Sequence, residues 1–132
     1  MSVAQVVRGR VRLNKSMVLA RVERQHALIE ELRALRPRMV SGARLAERLA
    51  VSRRTIERDA ADLVEAGVPI VVRRGPGGGY RIDPRARLGP VVFTPGEAAA
   101  VIASMVAVGP YVAATAQSAL AKVIEAFGSS PS

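Results

Sequence analysis

The sequence predicts a mainly α (α+β) chain in two parts: three helices closed by a β-hairpin, then a hairpin of two alanine-rich helices. Three observations predict this. Apolar residues recur at helical spacing between about Val18 and Ala66, interrupted at Pro37, Ser41 and Ser52. β-Branched residues then flank a glycine run, "GPGGGY", from Gly75 to Tyr80. Beyond Thr94 the chain becomes rich in alanine and poor in charge, with one break at Gly109-Pro110.

Taken in order, residues 1–17 are basic and Val-rich with no helical period, and are expected to form a flexible basic arm. The first helix starts near Val18, with Val22, Leu28, Ile29, Leu32 and Leu35 as its apolar stripe. It stops at Arg36-Pro37, because a residue before proline is pushed out of the α region. Ser41 is the expected N-cap of a short helix, Ala43–Ala50, with Leu45 and Leu49 inward. Val51-Ser52 makes the turn, and Ser52 caps a third helix from Arg53 to Ala66 that ends at Gly67. Ile56, Ala60, Leu63 and Val64 are its expected core face. "VPIVVRRGPGGGYRID" reads as a hairpin whose second strand is Tyr80–Ile82. Helix, short helix, turn, helix and hairpin is the order of a winged helix-turn-helix with a two-stranded wing, expected over residues 18–84. Residues 85–94 read as a linker. Residues 95–128 read as a two-helix dimerisation region, with helices at Pro95–Val108 and Tyr111–Phe127, and 129–132 as a disordered tail.

Composition narrows the function. The chain has no cysteine and one histidine, His26, which excludes disulfides and thiolate chemistry and leaves little for a metal site or a catalytic triad. No cofactor and no enzyme activity is expected. The formal net charge is +9, unevenly placed: residues 1–90 hold 19 of the 20 Lys and Arg and 9 of the 11 Asp and Glu. A basic front on a near-neutral back is the asymmetry of a polyanion-binding head that carries something else. No secretory leader is visible at Met1–Lys15. Ala98–Ala121 has no charged residue and is long enough to span a bilayer. Its periodic apolar positions and its Gly-Pro break instead describe amphipathic helices, so no membrane span is expected; a cytoplasmic location, with which the lack of cysteine is compatible, is expected.

The charged third helix carries the chemistry. A protruding helix about 10–12 Å wide fits the B-DNA major groove, about 12 Å across. Arg53, Arg54 and Arg58 occupy the first two turns, whereas Asp59, Asp62 and Glu65 crowd the C-terminal half, where they oppose the helix dipole. Such acids are expected to serve something other than helix stability. The bland alternative is that Arg53–Glu57 and Arg58–Asp62 are intrahelical salt bridges. Ser41 and Arg44 at the second helix, Arg73 and Arg74 before the hairpin tip, and Arg81 after it add donors where such a motif meets phosphates. The glycine run lacks the Lys-Ser/Thr of a nucleotide-binding loop and precedes a strand, so it reads as a hairpin tip. Tyr80 either packs on the core or stacks at the tip and is counted with the DNA-binding candidates, and His26 reads as a half-buried packing residue.

"LAERLAVSRRTIERDAADLVEAGVPI" followed by "GPGGGYRI" resembles the N-terminal head of the DeoR-like, WYL-domain family of bacterial transcription regulators. The resemblance extends over about Ala20–Phe127, including "LGPVVFTPGEAAAVIASM" and "AQSALAKVIEAF". It implies a repressor-type regulator that reads double-stranded operator DNA through Ser52, Arg53, Arg54, Thr55 and Arg58. Arg73, Arg74 and the Gly75–Gly79 tip would form the wing. The family's Trp-Tyr-Leu sensing domain has no counterpart in this sequence, so no small-molecule effector is assigned. A homodimer through the C-terminal helices is expected, because one such head reads few base pairs. The alternative is an accessory module that binds no DNA and pairs with a full-length regulator through those helices.

Overall fold

The structure, a computed structural model, describes residues 20–108 and 113–129. The expected basic arm at 1–17 and most of the expected tail lie outside the described residues. The chain divides into two compact units, Arg21–Leu88 and one containing Gly89–Ser132.

In the first unit, helix α1 covers residues 20–35 and buries Leu28 and Leu32 completely. Helix α2, Gly42–Leu49, opens on Ser41, whose hydroxyl accepts the Arg44 N–H at 3.1 Å. It closes one residue earlier than the sequence predicts. Ala50 takes a left-handed conformation (φ 55°, ψ 45°) and turns the chain, so Val51 donates back to the Ala46 carbonyl at 3.0 Å. Few non-glycine residues sit there, and alanine tolerates it better than a β-branched side chain. Helix α3, Arg53–Glu65, starts from Ser52, whose hydroxyl accepts the Thr55 N–H at 3.1 Å. Gly67, at φ 99°, ends it as the sequence predicts.

Strands β1 (Ile70–Arg73) and β2 (Gly79–Ile82) pair antiparallel, with Ile70 opposite Ile82 and Val72 opposite Tyr80. A further rung docks this hairpin on the chain before α2: Val40 and Tyr80 exchange N–H···O bonds of 2.7 and 2.8 Å. Gly79 makes that approach possible. A Cβ there would lie 2.1 Å from the Val40 carbonyl oxygen, and its φ is 142°. Gly79→Ala is therefore expected to destabilise the unit by about 2 kcal/mol or more, read as a lower urea midpoint, through backbone strain and a broken rung.

The core joins Leu28 and Leu32 of α1, Leu45 of α2, Ile56, Ala60 and Leu63 of α3, and Ile70, Tyr80 and Ile82 of the hairpin. Val64, expected among them, is 42% exposed. Asp59 takes its place in the buried set at 2% exposure and receives a two-pronged bond from Arg24 of α1, through Nε to Oδ2 and through Nη2 to Oδ1 at 2.9 Å. That contact raises the Arg24 guanidinium above its ordinary pKa. The Arg36 guanidinium donates to the carbonyls of Pro84 and Ala86 at 2.9 and 2.6 Å, tying the chain after β2 to the end of α1.

In the second unit, α4 (Pro95–Val108) and α5 (Ala114–Gly128) pack together as a helical hairpin. Thr94 and Glu97 form a reciprocal cap at the start of α4: Thr94 N–H donates to Glu97 Oε1 at 3.0 Å and Glu97 N–H to Thr94 Oγ1 at 3.2 Å. These bonds hold the Glu97 carboxyl below its ordinary pKa. The described part of α5 starts at Ala114, after the predicted Tyr111, which lies outside the described residues. Ala98 is the one residue of these two helices that is buried among those described, while Val106, Ile124 and Phe127 are exposed. Among the described residues no helix is long and apolar enough to cross a membrane.

Candidate nucleic-acid interface

Helix α3 has two opposed surfaces. Ile56, Asp59, Ala60 and Leu63 face inward, and Arg53, Arg54, Glu57 and Arg58 face solvent. The inward set explains why the helix cannot roll: three apolar side chains fill the core and one carboxylate is held by Arg24. The N-terminal turn is fixed as well. The Ser52 and Thr55 hydroxyls lie 3.0 Å apart, so these two predicted site residues bond to each other and close the helix start. Ser41 caps α2 in the same way and keeps its hydroxyl proton as a donor.

Between α3 and the hairpin runs an open groove of about 1000 Å³. Ala60, Ala61, Val64, Val72 and Tyr80 contribute its apolar lining, together with the glycines of the hairpin tip. Arg53 and Arg58 stand on the helix side, and Arg73 and Arg74 on the hairpin side. Ser41 also reaches it, whereas Arg44 on α2 and Arg54 on α3 are exposed outside it. The i, i+4 pair Arg54 and Arg58 is thus divided: Arg58 lines the groove and Arg54 does not.

The side chains of Arg44, Arg53, Arg54, Arg58, Arg73 and Arg74 make no hydrogen bond or ion pair among the described residues. Neither Arg53–Glu57 nor Arg58–Asp62 forms a salt bridge. Arg24 is engaged with Asp59, Arg33 with Glu30, Arg48 with Glu31 and Arg85 with Asp83, whereas Arg21, Arg38 and Arg81 also make no side-chain bond among the described residues. Guanidiniums with no partner among the described residues, set along two helices and one hairpin, suit the oxygens that a polyanion backbone offers.

Tyr80 is corrected by the structure. Of its two sequence readings, core packing holds: the ring is 8% exposed and its backbone is bonded to Val40, so it offers no stacking platform. Burial raises its hydroxyl pKa, with Glu57 adding to the effect and Arg53 and Arg74 opposing it. Tyr80 and those three charged residues line the same groove. His26 is half-buried, as the sequence predicts, and lies 4.0 Å from Glu30.

Three features of the site escaped the sequence reading: the Arg24–Asp59 anchor, Val64 and Val72 as groove lining, and Glu57 among the arginines. The first had a signal. Arg24 heads the stripe that continues through Leu28 and Leu32 at four-residue spacing, and Asp59 lies between Ile56 and Leu63 on the stripe of α3. Opposite charges on two core-facing stripes point to each other.

No solved structure matches the chain. A protein-family model described as an HTH domain matches residues 24–81, from Arg24 of the anchor to Arg81 of β2. The matched segment holds most of α1, all of α2 and α3, and the hairpin, and so is similar to a helix-turn-helix domain.

Proposed function

We propose that the protein is a sequence-specific double-stranded DNA-binding transcription regulator, repressor-type and cytoplasmic, of the DeoR-like, WYL-domain kind that its sequence resembles. The N-terminal half of α3 enters the major groove and the hairpin, as a wing, lies on the phosphate backbone. The observation that carries this reading is the set of six arginines displayed by α2, α3 and the hairpin without a partner among the described residues, in a segment similar to a helix-turn-helix domain. Arg54 and Arg58 are assigned to guanine edges or adjacent phosphates, and Arg53, Arg73, Arg74 and Arg44 to phosphates, with Ser41, Ser52 and Thr55 beside them. Selection of genomic fragments bound by the intact chain at near-physiological salt is expected to enrich one short motif. Recovery of fragments without a shared motif counts against the reading.

The same reading includes a homodimer through α4 and α5. Their described residues carry only Glu97, Lys122 and Glu125 as charges, so two copies meet there without repulsion, and Val106, Ile124 and Phe127 supply apolar area. A helix apolar around its whole circumference, as α4 nearly is, belongs in an interior. Sedimentation equilibrium at micromolar concentration is expected to give twice the chain mass of 14.0 kDa. Ile124→Glu with Phe127→Glu is expected to return the monomer, and a wild-type monomer contradicts the dimer. The uncovered helices also favour a second reading, an accessory module that pairs with a longer regulator. Absence of DNA binding together with a stable mixed complex would select it.

A further inference from the structure

Resting on the placement of α3 in the major groove, we infer that Glu57 is a specificity-determining residue whose carboxylate accepts the exocyclic amino group of a cytosine. Glu57 is exposed on the groove-lining surface of α3, in company with Arg53, Arg58, Arg73 and Arg74. Arg53 precedes it by four residues and Arg58 follows it directly, yet it makes no ion pair or hydrogen bond with either. Of the other acids of the unit, Glu30, Glu31, Asp59 and Asp83 hold arginines, while Glu23, Glu47, Asp62 and Glu65, which have no ion pair among the described residues, lie outside the N-terminal half of α3.

A free carboxylate among phosphate-seeking arginines is unfavourable if phosphate is all it meets, because like charges brought together oppose binding. Its position changes that balance. Glu57 is the fifth residue of α3, within the half of a reading helix that meets base edges. There the four bases differ. Cytosine offers an N4 amino donor; guanine offers the O6 and N7 acceptors, which repel a carboxylate; thymine offers the O4 acceptor and a methyl group. Adenine offers one donor, N6, beside one acceptor, N7, and fits an amide better than a carboxylate. Glu57 thus attracts one base and rejects two, and that combination of attraction and repulsion builds specificity. Burial of Ile56, Asp59, Ala60 and Leu63 fixes the roll of α3, so the fold sets which residues of the helix, Glu57 among them, are presented outward.

The test is selection from a randomised duplex pool with the intact chain and its Glu57→Gln and Glu57→Ala variants, with thermal unfolding of each as a check on folding. The wild type is expected to enrich a motif with cytosine at one position. Glu57→Gln is expected to exchange that cytosine for adenine, and Glu57→Ala to remove the preference there by about tenfold to a hundredfold while other positions hold. Both variants are expected to unfold at the wild-type temperature. Unchanged motifs for both variants overturn the inference while leaving the DNA reading intact. Uniform loss of affinity with unchanged base preferences also overturns it, since the carboxylate then only orients its neighbouring arginines. A wild-type chain that enriches no motif removes the DNA reading and this assignment with it.

Discussion

Replacing Arg54 and Arg58 together with alanine is expected to weaken binding of the enriched duplex by about 2–4 kcal/mol, roughly 30- to 700-fold, with little change in unfolding. Both side chains are exposed and make no bond within the described residues, so their removal leaves no group unsatisfied in the free protein. The loss should also have a signature in sequence. A guanidinium forked onto guanine O6 and N7 discriminates its position, so the variant motif is expected to degrade at one or two positions and hold elsewhere. Arg73→Ala with Arg74→Ala should behave differently. Hairpin contacts to phosphate carry no base information, so affinity is expected to fall evenly across sequences, and the salt slope to shrink by about one per residue removed. Anisotropy titrations over a salt series separate the two patterns. If the Arg54/Arg58 variant keeps wild-type affinity and motif, α3 is not the reading element.

The second large effect is on stability. Asp59→Ala is expected to lower the unfolding free energy by about 2–4 kcal/mol, seen as a lower midpoint in urea with a similar slope. The carboxylate is 3% exposed and holds both Nε and Nη2 of Arg24, whose side chain is 24% exposed. Removing it strands a half-buried cation against the core, which is where the cost lies. The estimate stays below the full range for buried pairs because water reaches part of Arg24. Total stability of a small domain is about 5–15 kcal/mol, so the loss is a large share of it. Replacing both partners, as Arg24→Met with Asp59→Leu, is expected to recover most of that stability, because two apolar side chains leave no charge uncompensated. If Asp59→Ala unfolds at the wild-type midpoint, the anchor contributes nothing.

Most of the fold was legible in residue spacing, because its punctuation is local. Ser41 and Ser52 are caps by chemistry, Gly67 ends α3 by its positive φ, and the Gly-Pro-Gly tip places the hairpin turn. Where the reading failed, tertiary geometry decided. Periodicity assigned Val64 to the core because it follows Ala60 by one turn, but the hairpin stands away from α3 at that level and leaves a groove. Asp59 looked like one of several acids opposing the helix dipole, and only α1 reveals that it is an internal anchor. The two acids beyond it, Asp62 and Glu65, are exposed and make no ion pair among the described residues. Tyr80 stayed ambiguous in sequence because an aromatic before a charged strand residue suits core and tip equally, and the Val40 rung decides for the core. The arginines were legible as candidates, yet whether they pair within the chain depends on side-chain geometry that spacing does not fix.

Fluorescence anisotropy of the intact chain on a duplex carrying the enriched motif, beside a shuffled duplex of equal length at near-physiological salt, asks most directly whether α3 reads sequence. The expected result is affinity for the motif at least about a thousandfold above that for the shuffled duplex, both falling as salt rises. Equal affinity for the two duplexes, or no binding to either, contradicts it.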